Sequence, residues 1–140
     1  MDTVAASPLS RKLKLKPGAR AAVIDAAPDY MHRLAPPSDV TIRTDLDGGP
    51  FDWIQVFVRT SAELAAIVEP LTAAIAPTGH IWISYPKGSS KLQTDLTRDK
   101  GWEPLAGGDL MWLSLVSVDD TWSAFGLRPY RPGEARQTFR

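Results

Sequence analysis

Residues 53–85 constrain the fold of this 140-residue chain most strongly, because they predict a strand, a helix and a second strand in succession. Residues 53–58 are a short apolar run typical of a buried strand, and residues 80–85 are another. Between them, Thr60 and Glu63 have the spacing of a capping box. An apolar stripe at helical spacing follows, made of Leu64, Ile67, Val68, Leu71 and Ile75. This unit predicts two parallel strands joined by a helix on one face of a sheet.

Two details of this helix carry their own expectations. Pro70 lies inside it and predicts a kink or a split, since proline removes a backbone hydrogen bond. Pro77-Thr78-Gly79 predicts a turn that ends the helix before the next strand begins.

The rest of the chain continues the alternation of strands and helices. Weak or short helical patterns occupy residues 9–15, 28–34, 94–100 and 102–105, and apolar or alternating runs predict strands over residues 19–25, 40–44, 110–118 and 121–127. Asp119-Asp120 separates the last two runs and predicts a hairpin. Only seven residues separate Thr44 from Asp52, whereas a helical crossover needs about a dozen. Strand 40–44 is therefore either antiparallel, or an extended link returns to the start of the next strand.

Three segments resemble parts of class I methyltransferases. They are the approach to a first strand over residues 13–25, the start of a strand at 50–54, and a helix-to-strand passage over residues 75–83. The resemblance implies a three-layer, Rossmann-like α/β fold of methyltransferase type. Its sheet would have about six strands, mostly parallel, with an antiparallel hairpin at the C-terminus. More closely, residues 84–87, 95–102 and 119–124 look like an uncharacterised bacterial family of small domains of unknown function, which implies no activity.

The sequence departs from this family at the cofactor turn. Methyltransferases follow the first strand with Asp-x-Gly-x-Gly, because the backbone must approach S-adenosylmethionine closely and without a Cβ. The chain has Asp25-Ala26-Ala27-Pro28-Asp29, so Ala27 and Asp29 stand at the glycine positions. Asp29 also brings a carboxylate near the carboxylate of the cofactor. We therefore predict a degenerate fold of this type that uses no standard cofactor.

Composition removes several classes of function. The chain has no cysteine and only two histidines, His32 and His80, so we expect no metal site. Sixteen basic residues balance 16 acidic ones, so no overall field draws the protein to nucleic acid or to an anionic membrane. No segment resembles a signal peptide or a membrane span, which predicts a cytoplasmic protein.

The candidate site follows from the rule that ligands bind beyond the carboxyl ends of parallel strands. This rule selects Asp25, Asp45, Arg59 and the corner of residues 84–87. The stretch after it contains a lysine, a glycine and two hydroxyls before a predicted helix, and this combination suits an anion. The predicted ligand-binding residues are Asp25, Asp45, Tyr85, Lys87, Ser89 and Ser90. Each also has a structural interpretation: Asp45 as the first residue of a turn, Asp25 as a helix cap, and the serines as a polar loop.

These observations leave three functions open. The first is a ligand-binding or regulatory domain, residues 9–130 between flexible tails at 1–8 and 131–140, that takes a small anionic ligand. The second is an enzyme with a non-standard site at the same edge, using Lys87, Tyr85 or an aspartate as acid or base. The third is an interaction module that pairs through its edge hairpin, for example as a homodimer. A flat apolar patch around Trp112 and Trp122 would favour the third.

Overall fold

The structure is a computed structural model that describes residues 7–37, 39–92, 94–105 and 108–135. Within these ranges the strands are β1 (Arg20–Ile24), β2 (Thr41–Arg43), β3 (Phe51–Phe57), β4 (Ile75–Pro86), β5 (Leu110–Ser117) and β6 (Trp122–Pro129). The helices are α1 (Pro8–Lys12), α2 (Tyr30–Leu34) and α3 (Ser61–Ala74), with a short 3-10 helix at Glu103–Leu105.

The strands form one sheet in the order β2-β1-β3-β4-β6-β5. Strand β1 is parallel to both β2 and β3, and β3 is parallel to β4. Strand β6 is antiparallel to both of its neighbours, β4 and β5. The predicted fold class is confirmed: a six-stranded, mostly parallel sheet of methyltransferase type that closes in an antiparallel hairpin. Because β2 is parallel, the extended-link alternative holds, and residues 44–50 return directly to the start of β3.

Each face of the sheet is covered by its own apolar layer. Helix α3 and the 3-10 helix pack on one face, whose buried residues include Ile54, Val56, Leu64, Leu71, Ile81, Ile83 and Tyr85. Helices α1 and α2 cover the other, whose buried residues include Leu13, Tyr30, Leu34, Trp53, Phe57, Trp82 and Trp122. We name these the α3 face and the α2 face. Side chains that alternate along a strand reach opposite faces, which accounts for the three layers.

Helix α3 differs from its prediction in two respects. Pro70 does not split it, since one helix runs from Ser61 to Ala74 and the burial of Leu64, Leu71 and Ala74 on the sheet offsets the hydrogen bond that proline removes; the kink stays a prediction. Strand β4 begins directly at Ile75, so Pro77-Thr78-Gly79 lies inside the strand and not in a separate turn. The pairing between β3 and β4 is irregular at this point, between Phe51 and Trp53.

The prediction of a helix over residues 94–100 is also wrong. This stretch is an irregular loop that packs against the start of α3. The Ser61 N–H donates to Asp95 Oδ1 at 3.0 Å, and the Ser61 hydroxyl donates to the Gly101 carbonyl at 3.0 Å. The Trp102 indole donates to the Thr97 carbonyl at 2.5 Å. Because side chains and carbonyls of the loop bond to α3 and within the loop, tertiary contacts override the weak local helical preference.

The tail assignments over residues 1–8 and 131–140 stay predictions, since residues 1–6 and 136–140 lie outside the described residues. Near these ends, Ser7 accepts a hydrogen bond from the Ser10 N–H at the start of α1, and Glu134 pairs with Arg128 at 2.8 Å. No helix in the described ranges is long and apolar enough to cross a membrane.

Candidate functional site

The sheet topology brings the ends of four parallel strands to one edge. Strands β1, β2, β3 and β4 run in the same direction, so Asp25, Thr44, Val58 and Lys87 all begin the segments that leave this carboxyl edge. Because β6 runs the opposite way, its first residue, Trp122, lies at the same edge, opposite Pro86. This is the edge at which open α/β sheets bind ligands.

Arg59 and Lys87 follow β3 and β4, and Trp122 begins β6 beside them. The Arg59 guanidinium lies over the Trp122 ring, 5.4 Å from its centroid. The Lys87 N–H donates to the Thr121 carbonyl at 2.7 Å, next to Trp122. The Val58 N–H donates to the Ser84 carbonyl at 2.9 Å, which ties the two strand ends together. We name Arg59, Lys87 and Trp122 the β3–β4 corner.

Both cations of the corner keep their charge unneutralised. In the described ranges neither Arg59 nor Lys87 forms an ion pair. The Lys87 ammonium donates to the Ser117 hydroxyl at 2.6 Å, which is a neutral partner. A guanidinium stacked on an aromatic face still presents the N–H groups along its edge.

Carboxylates near the corner are engaged elsewhere. The Glu63 N–H donates to the Thr60 hydroxyl at 3.0 Å, as in a capping box, while the Glu63 carboxylate accepts the N–H of Arg59, one residue before the cap, at 3.0 Å. Asp95 accepts the Ser61 N–H. The first turn of α3 is therefore closed by the chain itself, and the side chains of Arg59 and Lys87 carry the positive charge of the corner.

Asp119 lies in the turn between β5 and β6 and pairs with Arg33 of α2. Its other oxygen accepts the N–H groups of Thr121 and Trp122, each at 2.8 Å. Burial of Asp119 opposes ionisation, but the hydrogen bonds from Arg33 and from these two N–H groups prevail, and they lower the pKa of the carboxyl. Asp119 is thus a charged residue with a structural role: it holds the hairpin turn against α2.

The loop after β4 forms a turn and not the predicted cradle before a helix. The Ser90 N–H donates to the Lys87 carbonyl at 2.9 Å, and the Ser90 hydroxyl donates to the same carbonyl at 2.8 Å. Ser89 is exposed at the tip of the turn. Since residues 94–100 are not helical, no helix start supplies N–H groups here. Among the predicted ligand-binding residues of this loop, the charged one is Lys87.

The two predicted aspartates lie away from the corner, over β1 and β2. Asp25 is exposed directly after β1, with a left-handed φ of 55°. Asp45 accepts the Asp47 N–H at 3.0 Å and the Arg43 guanidinium at 3.1 Å. These two interactions, the backbone bond first, lower the pKa of the Asp45 carboxyl. This geometry matches the interpretation of Asp45 as the first residue of a turn.

Tyr85 is buried on the α3 face, where it packs on Phe125 and Trp102 with ring centroids 5.5 and 5.3 Å apart. Burial raises the pKa of its hydroxyl, although a hydrogen bond with Ser123 opposes the shift. The phenol therefore stays protonated at neutral pH and serves as packing below the edge.

The cavities described in the structure do not join the predicted residues. One of about 570 Å³ lies between residues 46–50 and the end of α3. Another of about 360 Å³ borders β1 and β2, and one of about 160 Å³ lies near His80. None of these three is lined by Asp25, Asp45 or Lys87.

Trp112 and Trp122 pack on opposite faces of the sheet, so they do not share one apolar patch. Across the described ranges, no group of three or more His, Asp or Glu side chains is placed to hold a metal.

The turn after β1 does not suit S-adenosylmethionine. Ala27 is 6% exposed and packs in the α2-face core, so its methyl group fills space that glycine would leave open. Asp29 has a left-handed φ of 61°, and its carboxylate makes no capping hydrogen bond. Asp29 directly precedes α2, where the resemblance to methyltransferases implies the cofactor's own carboxylate. Helix α2 is only five residues long, and so short a helix gives little dipole to hold an anion.

The sequence pattern puts Arg59 at a strand end but contains no signal that links it to Trp122. The link depends on β6 lying beside β4, which the pattern of residues 121–127 does not specify. The predicted hairpin is the signal that comes nearest, because it puts Trp122 at the start of its second strand.

No protein-family model matches the chain, and no curated protein matches it in sequence. Solved structures do resemble it in fold. A protein in the NADB-Rossmann superfamily from Streptococcus agalactiae aligns over 96% of this chain and 73% of its own, with 11% identity and a TM-score of 0.54. A SAM-dependent methyltransferase from Aquifex aeolicus aligns over 86% and 88%, with 12% identity and a TM-score of 0.55.

The chain spans 39% of a longer similar protein, LepI, whose structure is a complex with SAH and a substrate analogue. That similarity has a TM-score of 0.53 and 14% identity. At such low identity the likeness concerns the fold and not the activity. The chain therefore has a Rossmann-like fold of the methyltransferase type.

Proposed function

We propose that this protein binds a small anionic molecule, carrying a phosphate or carboxylate group, at the β3–β4 corner. The observation that carries the proposal is the pair of cations, Arg59 and Lys87, at the ends of two neighbouring parallel strands, with no ion pair for either in the described residues. Unneutralised cations at a ligand-binding edge are suited to charge-assisted hydrogen bonds.

The charge distribution along the edge supports this position. Over β1 the edge carries the exposed carboxylates of Asp25 and Asp29, which repel an anion. Over β3 and β4 it carries Arg59 and Lys87. An anion that reaches this edge is therefore attracted toward the corner and away from the turn after β1.

The predicted ligand-binding residues have different roles in this proposal, from direct contact with the anion to support of the surrounding turn. Lys87 binds the anion directly with Arg59, while Ser89 offers a hydroxyl at the tip of the adjoining turn. Ser90 shapes that turn, and Tyr85 supports it from the α3 face. Asp25 and Asp45 contact only a ligand large enough to extend from the corner over β1 and β2.

The methyltransferases among the structural neighbours favour an enzyme over a purely regulatory domain. In this second candidate the corner holds the anionic group of a substrate, and Lys87 is the acid or base within reach. Because the turn at residues 25–29 does not suit S-adenosylmethionine, such a reaction uses another co-substrate or none. Incubation with phosphorylated and carboxylated metabolites, followed by mass spectrometry of the products, tests this candidate.

The remaining expectations stay predictions. They are a cytoplasmic, bacterial protein of the uncharacterised family that the sequence resembles, no binding to nucleic acid or to membranes, and a homodimer as an open alternative to the monomer. The open edge at β5 includes Leu113 and Leu115, which are 39% and 42% exposed, and this exposure supports the dimer alternative.

Binding of inorganic phosphate to single variants tests the proposal. We expect Lys87→Ala and Arg59→Ala each to weaken binding by about 1.5–3 kcal/mol, because each removes a hydrogen bond to a charged group. The melting temperature of Lys87→Ala should hardly change, because Lys87 is partly exposed and its ammonium bonds the hydroxyl of Ser117, an exposed residue, and such surface contacts contribute little to stability. The affinity is measured by following amide and Trp122 indole shifts in a phosphate titration.

Lys91→Ala is the matched control, because Lys91 is an exposed lysine of the same loop. It should bind phosphate as the parent does. If Lys87→Ala and Arg59→Ala bind as tightly as Lys91→Ala, the corner is not the binding site.

A further inference from the structure

A second cationic cluster lies at the opposite, amino edge of the sheet, where the chain leaves α1. The Leu13 carbonyl accepts the indole N–H groups of both Trp53 and Trp82, at 2.7 and 2.6 Å. Leu13 and Leu15 are buried, whereas Lys14 and Lys16 between and beyond them are exposed. Two buried tryptophans thus fix the segment that presents both lysines.

These lysines border a small cavity. It measures about 160 Å³, and Lys14, Lys16, Thr78 and His80 line it together with Ala19, Asp52 and Trp53. Liquid water occupies about 30 Å³ per molecule, so the cavity has room for a tetrahedral oxyanion and part of its hydration shell. Among the lining residues are two lysines, a threonine and a histidine, whose ammonium, hydroxyl and imidazole groups are hydrogen-bond donors to such an anion.

The charges around His80 leave a positive excess. Lys14, Lys16 and Arg128 act on it, and burial together with these cations lowers the pKa of the imidazole. Arg128 is neutralised by Glu134 at 2.8 Å. Asp52 is the carboxylate of the lining, and one of its oxygens accepts the Arg20 N–H at 2.9 Å. Neither Lys14 nor Lys16 forms an ion pair within the described part of the chain.

We infer that this cavity, the Lys14–Lys16 cavity, is a second binding site, specific for a small tetrahedral oxyanion such as phosphate, sulfate or the phosphate group of a metabolite. The site is independent of the β3–β4 corner, because the two lie at opposite edges of the sheet. A bound dianion places negative charge next to the His80 imidazole and stabilises its protonated form. Binding is therefore tighter when His80 is protonated.

Sulfate is the appropriate probe, since it stays a dianion across the range in which histidine titrates. The experiment follows the His80 ring signals of the full chain by NMR as sulfate is added, at several pH values. We expect a saturable shift, a rise in the His80 pKa of at least about half a unit, and tighter binding at pH 5.5 than at pH 8.

Two variants locate the binding. Lys16→Ala removes one ammonium, and Lys14→Gly removes the other while keeping the backbone, because Lys14 has a φ of 60° that glycine adopts without strain. The double variant should bind sulfate at least about tenfold more weakly. Lys12→Ala, an exposed lysine outside the cavity, and Lys87→Ala at the β3–β4 corner should leave the His80 response unchanged.

The inference is overturned if sulfate gives no saturable change at His80. It is equally overturned if Lys12→Ala or Lys87→Ala weakens the response as much as the double variant does. Amide spectra of each variant verify that the fold is kept, so a lost response reports binding and not unfolding.

Discussion

Three buried polar side chains form a chain of hydrogen bonds between α2 and the sheet. The Tyr30 hydroxyl donates to Gln55 Oε1, and the Gln55 amide donates to the Ser84 hydroxyl at 3.0 Å. Gln55 and Ser84 lie on adjacent strands and are completely buried. Because a buried polar group without a partner is costly, this chain of bonds fixes α2 against β3 and β4.

Removal of the Tyr30 hydroxyl tests this network. Tyr30→Phe keeps the ring and its edge contact with Phe57, 4.7 Å between centroids, but leaves the Gln55 carbonyl oxygen without its donor. We expect a loss of about 1–3 kcal/mol in the free energy of unfolding, measured by urea denaturation. Ser89→Ala, at an exposed turn, serves as the control. A Tyr30→Phe protein as stable as this control would show that water replaces the donor.

The same residue predicts how stability depends on alkaline pH. Burial, opposed in part by the Gln55 hydrogen bond, raises the pKa of Tyr30 far above its usual value near 10. The unfolded chain then releases this proton from about pH 10 while the folded chain retains it, so stability falls as pH rises through and beyond 10. We expect the urea midpoint to drop between pH 8 and pH 10.5, and to drop less in Tyr30→Phe. Equal decreases in the two proteins would contradict a buried, neutral Tyr30.

At the scale of single residues, the sequence indicated part of the site. Lys87 and Arg59 follow predicted parallel strands, so the strand-end rule selected both. Their shared neighbour Trp122 was not foreseen, because it comes from a strand more than 30 residues away in sequence from β4. Asp25 and Asp45 satisfied the same rule, but in the structure they lie in the turns that follow β1 and β2, away from the corner.

At the scale of elements, strong periodicity predicted α3 and the strands beside it. The weak helical pattern at residues 94–100 led to a wrong prediction, because an irregular loop can also place apolar side chains in a core. Leu96 is fully buried, and Trp102, just after this stretch, packs against Tyr85. The direction of β2 could not be predicted either, since a strand of three residues contains no signal for its orientation.

The pairing of β4 with β6 predicts the effect of one substitution. Gly126 lies opposite Trp82, and a Cβ added there would stand 2.8 Å from the indole ring. The ring is buried and donates to Leu13, so it cannot move freely. We expect Gly126→Ala to cost about 1–3 kcal/mol of unfolding free energy, as overpacked cores do.

Gly108→Ala is the comparison for this substitution, because the nearest atom of the described residues to its added Cβ would be the Leu105 carbonyl oxygen, at the ordinary contact distance of 3.4 Å. Thermal or urea unfolding of both variants gives the difference. If Gly126→Ala is no less stable than Gly108→Ala, then β4 and β6 are not held in the register described here.

At the scale of the whole molecule, the sheet has a methyltransferase-type fold, and its carboxyl edge carries the cations of the β3–β4 corner away from the first strand. The acidic turn after β1 and the basic β3–β4 corner divide the carboxyl edge. We therefore expect S-adenosylmethionine to bind poorly, because Ala27 and Asp29 occupy the place of the cofactor turn. Isothermal titration measures this directly. A dissociation constant in the low micromolar range, about −8 kcal/mol, requires a well-formed site and would contradict the expectation.

The central claim is that the ligand edge of this fold acts through Arg59 and Lys87. The measurement that tests it most directly is a map of amide and indole shifts across the full chain during titration with inorganic phosphate. Binding at the corner predicts saturable shifts at residues 58–60, 87–90 and 121–122, including the Trp122 indole, separate from those at the Lys14–Lys16 cavity. The corner shifts should be lost in a combined Arg59→Ala and Lys87→Ala variant. Saturable shifts centred on residues 25–29, or a response at the corner that survives the double substitution, would contradict it.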